Sequence, residues 1–307
     1  MKQNLCASAT ARSFPRRAAL VRGVFALAGT VAGAQAVLAQ TGAAQPLASG
    51  ALQFGMVPYL PVQQLVRLYE PLARSFEQTL QRPCRLASAT DFDQFLERAR
   101  KGNFDIVGAS PHVLRILQKE EGFEPLARAT AALEPLVVVN KDTTAEHAVS
   151  DLRGQRVMVA DFLALHVLIA LRALRDAGLN PAKDLNLTLA GNQRNAIARM
   201  LKGEAVAAVA SASTVASLPP ELAQNVRVLL RAPKGLTPMG FAVHPRLRSH
   251  APELRRSILQ MPHTAQGQAM LKATQQENYV ALTPADLASQ DAVVTEFYRQ
   301  RAVPRAP

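Results

Sequence analysis

Residues 91–114 read DFDQFLERARKGNFDIVGASPHVL, and they carry a helix, a strand and the start of another helix in one short stretch. Phe92, Phe95, Leu96 and Ala99 recur at spacings of three and four, which places them on one helical face. Asp91 stands just before them, where a carboxylate accepts from the unpaired first N–H groups of a helix, and Lys101-Gly102 supplies the stop. Positions 104–108 form a brief apolar run that suits a strand. Pro111, with its fixed φ, then opens a helix to about residue 120.

The same alternation extends in both directions. Upstream, 52–57 is strand-like and ends at Pro58, 62–80 has helical periodicity through Leu65, Leu68, Leu72, Phe76 and Leu80, and 85–88 is a second strand. This βαβαβα order predicts a mostly parallel sheet covered by helices. Downstream, the apolar run 136–139 precedes a second set: strand 157–160, helix 164–176 stopped by Gly178, strand 185–189, helix 195–201 stopped by Gly203, and strand 206–210. The runs 226–230 and 239–243 read as return strands, and the last fifty residues as helical with Thr283-Pro284 as a helix start. Two α/β halves with two crossings between them predict two lobes joined by a hinge. The first lobe comprises 52–138 and a return over 233–307; the second comprises 139–232.

The segment before residue 52 does not fit that fold. Residues 1–39 hold Lys2, Arg12, Arg16, Arg17 and Arg22 with no acidic residue, then a glycine-softened apolar run ending in Val37-Leu38-Ala39. That is the layout of a signal peptide cut after Ala39, with 40–51 as a flexible exit. Arg16-Arg17 followed by Leu20 is compatible with a twin-arginine route as well as with ordinary secretion. The formal charge of +12 falls to +7 without those five basic residues, leaving 30 basic groups against 23 acidic ones. The basic residues are scattered and there is no tryptophan, which argues against a nucleic-acid partner. Cys84 is the single cysteine beyond the leader, so that part of the chain has no internal disulfide.

Catalytic and metal motifs are missing. The sequence holds no HExxH, Walker loop, GxGxxG, GxSxG or SxxK, and its six histidines do not cluster at ligand spacing. Ser110 and His112 lie too close in sequence, without an identifiable orienting third group, to specify a nucleophile and its base. The reading is of a protein without metal or cofactor that does not turn over a substrate.

Ligands in α/β sheets gather where strand carboxyl ends meet helix starts. Three such junctions stand out: Pro58-Tyr59, Ser110-Pro111-His112 and Ala160-Asp161. Asp161 reads either as a helix cap or as a partner for ligand ammonium or hydroxyl groups. Tyr59 reads as a cleft wall or a core-edge aromatic, and His112 and His166 as ligand contacts or as histidines satisfied by neighbouring backbone. Asn192 and Gln193 start a helix and offer side-chain amides. Ser211, with Ser213 and Thr214, either caps the next turn or meets ligand.

The segments FGMVPYLPVQQLVRLYEPLARSFEQTL (54–80), DFDQFLERARKGNFDIVGASPHVL (91–114), DLRGQRVMVAD (151–161) and LRDAGLNPAKDLNLTLAGNQRNAIARMLKGEA (174–205) together resemble the phosphate/phosphite/phosphonate substrate-binding proteins of ABC transporters. The resemblance implies a type II periplasmic binding protein fold and a monomer that captures a small polar or anionic solute for a membrane permease. It implies Tyr59, Ser110 and His112 as the first lobe's site. A Ser/Thr-rich anion loop in the second lobe corresponds to Ala164-Leu165-His166, a Ser-His-Asp-like turn to Asn192-Gln193-Arg194, and an acidic position to Val206. Fold signals are kept, while the usual anion-holding side chains are replaced. A ligand sensor signalling to a membrane kinase and an enzyme on the same scaffold are the alternative functions.

Overall fold

Every second residue of β1 (Leu52–Met56) is apolar, and Leu52, Phe54 and Met56 are fully buried. The strand pairs in parallel with β2 (Cys84–Ala87) on one side and β3 (Ile106–Ala109) on the other, in a computed structural model that describes residues 50–142 and 148–303. The expected leader lies outside those residues. Parallel neighbours need covered crossovers, supplied by α1 (Val62–Leu80) and α2 (Phe92–Arg100). Asp91 caps α2, its Oδ1 accepting from the Gln94 amide at 2.7 Å. Helix α3 (Pro111–Glu121) then leads to β4 (Glu124–Ala129). The sequence pattern does not mark β4, because its residues, EPLARA, mix a proline and two charges with the apolar positions.

The chain crosses to the second sheet before Pro135. Strand β5 (Pro135–Asn140) pairs with the second sheet's β8 (Ala207–Ser211) and β9 (Val226–Arg231), so the expected lobe boundary at 138 is corrected to the loop ahead of Pro135. An apolar run buried on both faces carries no mark of which sheet it joins. Between β5 and β8 come β6 (Arg156–Val159), α4 (Leu165–Asp176), α5 (Pro181–Asp184), β7 (Asn186–Leu189) and α6 (Gln193–Leu201). After β8 come α7 (Ala212–Ala216) and α8 (Pro220–Ala223). The sheet order is β7-β6-β8-β5-β9. Alternate side chains serve its two faces: Val137, Val139, Val157 and Val159 pack toward α4, while Leu136, Val138 and Met158 pack with Ala196, Ile197 and Met200 of α6.

From β9 the chain returns to the first sheet. Strand β10 (Gly240–Val243) inserts antiparallel between β3 and β4, followed by α9 (Ala251–Gln260), α10 (Ala265–Ala273), β11 (Tyr279–Ala281), α11 (Pro284–Ala288) and α12 (Asp291–Arg301). The first sheet runs β11-β4-β10-β3-β1-β2. Both sheets are mixed, each a parallel trio extended by antiparallel strands. The C-terminal region is helical except for β11, whose three residues are too few to display a period. Thr283 caps α11 in a reciprocal capping box with Asp286.

Helix α4 ties the lobes together. It is apolar nearly all round: Ala164, Val167, Ala170, Leu171 and Leu174 belong to the second lobe's core, whereas Leu163, Leu165, Leu168, Ile169 and Ala173 join the first lobe's. At its C-terminal end Arg175 reaches α12, with Nη2 3.0 Å from Oε1 of the fully buried Glu296. Among the described residues no helix is long and apolar enough to cross a membrane.

Candidate functional site

The register of the two sheets fixes where a site can form. In the first lobe the carboxyl ends of β1 and β3 lead to Tyr59 and Ser110. In the second, the parallel trio ends at Val159, Leu189 and Ser211, and Pro135, opposite Ser211, marks the crossover from the first lobe. Nearly all the site residues expected from the sequence lie at or just after these strand ends. Val206 does not: it precedes β8, about 16 Å from Ser211 at the usual rise per residue. It borders instead a cavity of about 480 Å³ at the opposite end of the sheet, with Asn140, Arg156 and Lys202.

The turn into α4 contradicts one expectation. Asp161 does not cap the helix; Ala164 occupies that position with no side-chain bond. The Asp161 carboxylate instead closes the preceding turn, its Oδ1 accepting from the Leu163 amide at 2.7 Å. Leu163 and Leu165 are 4 % exposed and buried in the first lobe's core. The hydroxyl-rich anion seat that the resemblance implies is therefore an apolar plug between the lobes. Losing several hydroxyl donors, each contributing about 0.5–1.5 kcal/mol or more toward a charged group, removes much of the affinity for a bare oxyanion there.

Two histidines lie at this seam. His112, in the first turn of α3, is fully buried; its Nε2 lies 3.2 Å from the Leu163 carbonyl, which accepts, and its ring sits 5.8 Å from that of Phe297 on α12. The contact joins the two lobes and leaves Nδ1 buried without a partner. His166 is also buried, with Nε2 unpartnered. Burial pushes both imidazoles down to about 4, opposed in His112 by the bond to Leu163. Ser110, the residue just before α3, is buried and makes no cap bond.

The second lobe brings three of the expected residues into one polar edge. Asn192 caps α6, accepting from the Asn195 amide at 2.9 Å. Gln193 Oε1 accepts from the Ser211 amide at 2.6 Å. The Ser211 hydroxyl caps α7 through the Thr214 amide and lies within 3.1 Å of Ser213 Oγ and 2.9 Å of Thr214 Oγ1. Ser211 and Gln193 thus satisfy each other's neighbourhood, while Asn192 is exposed at the rim beside Leu189, itself 48 % exposed.

Tyr59 pairs within its own lobe. Its ring is 41 % exposed, but its hydroxyl turns inward to Tyr69 Oη at 2.8 Å, and burial of that end pushes its pKa up to about 12. Val62 and Val66 of α1 are exposed close by in sequence. The sequence does not single out Tyr69 and Tyr279, because a tyrosine in a helix stripe or a three-residue strand looks like core. Among the described residues no His, Cys, Asp and Glu group has the makings of a metal site.

The profile of a family described as "ABC transporter, phosphonate, periplasmic substrate-binding protein" matches residues 54–287, and the chain belongs to that family of solute-binding proteins. No curated protein matches it by sequence. Among solved structures it is similar to PhnD1 of Prochlorococcus marinus in complex with methylphosphonate, at 12 % identity, TM-score 0.70, covering 82 % of this chain and 100 % of that one. XAC2383 of Xanthomonas citri, bound to ATP, gives 18 % identity and TM-score 0.71 over 84 % and 100 % of the two chains. The aliphatic sulphonate binding protein SsuA of Escherichia coli gives 19 % identity and TM-score 0.56 over 84 % and 95 %. At these identities the likeness is one of fold.

Proposed function

We propose that this chain is exported to the periplasm, works there as a monomer, and captures a small organic phosphonate- or sulfonate-class solute between its lobes for an ABC permease, without turnover or cofactor. The hinge is the pair of crossovers, which meet where the Gly235 amide donates to the Leu133 carbonyl at 2.7 Å. The observation that supports this reading is a contrast among the strand ends: α4, His112 and α12 form an apolar seam, whereas Tyr59 in the first lobe and Leu189 and Asn192 in the second stay exposed. A seam packed as core stays shut, so entry is at the rim, with Tyr59 as one wall and the Asn192–Gln193 edge as the other. Periplasmic binders close by hinge motion of this kind.

Calorimetric titration of methylphosphonate, methanesulfonate and phosphate into the protein tests this reading. The expected result is one site for at least one of them, weakened tenfold or more in Tyr59→Ala. Absence of any binding by a folded protein contradicts it.

A further inference from the structure

Three of the four tyrosines, Tyr59, Tyr69 and Tyr279, gather at one end of the first lobe. Tyr69 and Tyr279 both pack edge-on against Phe241, with ring centroids at 6.5 and 5.6 Å and planes inclined by 68° and 73°. Burial raises the pKa of all three phenols; the charge of Tyr59 further raises Tyr69 and Tyr279, and that of Tyr279 raises Tyr69, while the hydrogen bond with Tyr69 pulls Tyr59 back down, and no carboxylate or cation contributes to these shifts.

Their hydrogen bonds do not close. The Tyr59 and Tyr69 hydroxyls, 2.8 Å apart, hold two protons and spend one on each other, leaving one to donate elsewhere. Tyr279 is 4 % exposed, and its hydroxyl is buried without a partner. Phenylalanine would fill that place beside Phe241 with no unpaired hydroxyl, so folding alone does not account for the oxygen. Tyr59, the exposed member, stands where the cluster meets solvent.

We infer that Tyr59, Tyr69 and Tyr279 form an oxygen-receiving subsite in the first lobe, which takes one oxygen of a singly charged organic solute, a sulfonate or a phosphonate monoanion. This rests on the solute-binding reading above. Tyr59 turns aside on entry, and the Tyr279 hydroxyl donates to the ligand oxygen together with the spare proton of the other pair. The subsite supplies donors that the plugged start of α4 lacks. Phenols donate hydrogen bonds but bring no positive charge, so the second charge of a dianion remains uncompensated.

The test is calorimetry with methanesulfonate, methylphosphonate and inorganic phosphate on wild type, Tyr279→Phe and, as a control, Tyr298→Phe, whose hydroxyl bonds Glu120 elsewhere. Tyr279→Phe is expected to keep or raise the melting temperature while weakening the tightest probe at least fivefold, with the control unchanged and methanesulfonate ahead of phosphate. A loss below fivefold in Tyr279→Phe, or phosphate binding more tightly than methanesulfonate, overturns the inference and leaves solute binding intact. Failure of all three probes on wild type overturns both.

Discussion

Acidification should strike the seam between the lobes through two imidazoles. Burial holds His112 and His166 down to about 4 in the folded protein, with His112 bonded to the Leu163 carbonyl across the lobes. In the unfolded chain a histidine titrates at about 6.5. Between those values the unfolded state binds more protons, so the stability these groups confer is complete above the unfolded pKa and is lost as pH falls toward the folded one. From about pH 7.5 to about pH 5 the loss is about 2 kcal/mol per histidine, or about 4 kcal/mol for the two, a large part of a typical folding free energy. Urea unfolding at both pH values, on wild type and on the His112→Gln/His166→Leu double variant, isolates the term, because the carboxylates are common to both proteins. Wild type should lose about 4 kcal/mol more than the double variant over this range. Equal losses, within about 1 kcal/mol, would refute the assignment of neutral buried imidazoles to the seam.

Other substitutions probe other parts of the account. Gly108→Ala places a Cβ 2.3 Å from Met56 Sδ and should cost about 1–3 kcal/mol in urea unfolding, since β1 and β3 approach closely there. Glu296→Gln leaves Arg175 and Arg299 without their buried counter-charge and should cost about 3 kcal/mol, less than a fully buried pair because Arg175 is 28 % exposed. Ser211→Ala should cost about 1 kcal/mol through the lost cap, and calorimetry should find solute affinity unchanged within twofold, because that hydroxyl is already committed to Thr214. Leu165→Ser should lower stability by about 3 kcal/mol and tighten phosphate binding measurably, by returning a hydroxyl to the start of α4.

Much of this architecture is legible in the sequence because local signals agree. Asp91, Gly102 and Pro111 mark the ends of α2 and α3 in chain order, and the apolar period does the rest. The sheet partner of β5 is not legible, since Leu136 to Val139 would suit either lobe until β8 and β9 close around it. The site is harder still. Asp161 stands where a cap is expected, yet the chain inserts a further turn, and the cap falls to Ala164. That Leu163 and Leu165 leave their own lobe to pack in the other is a property of the assembled lobes, invisible to a helical pattern that is apolar all round. The pairing of Tyr59 with Tyr69, ten residues on, depends on how β1 hands over to α1, and the stranded hydroxyl of Tyr279 follows from packing against Phe241 of another strand.

The central claim, a solute held between lobes whose α4 side is sealed, is tested most directly by thermal unfolding with each small anion in large excess. A ligand at one hundred times its dissociation constant adds about 2.7 kcal/mol, which raises the melting temperature of a domain this size by about 5–10 °C. The account predicts such a rise with methylphosphonate or methanesulfonate. No shift with either, in protein whose far-ultraviolet dichroism reports an intact α/β fold, would contradict it.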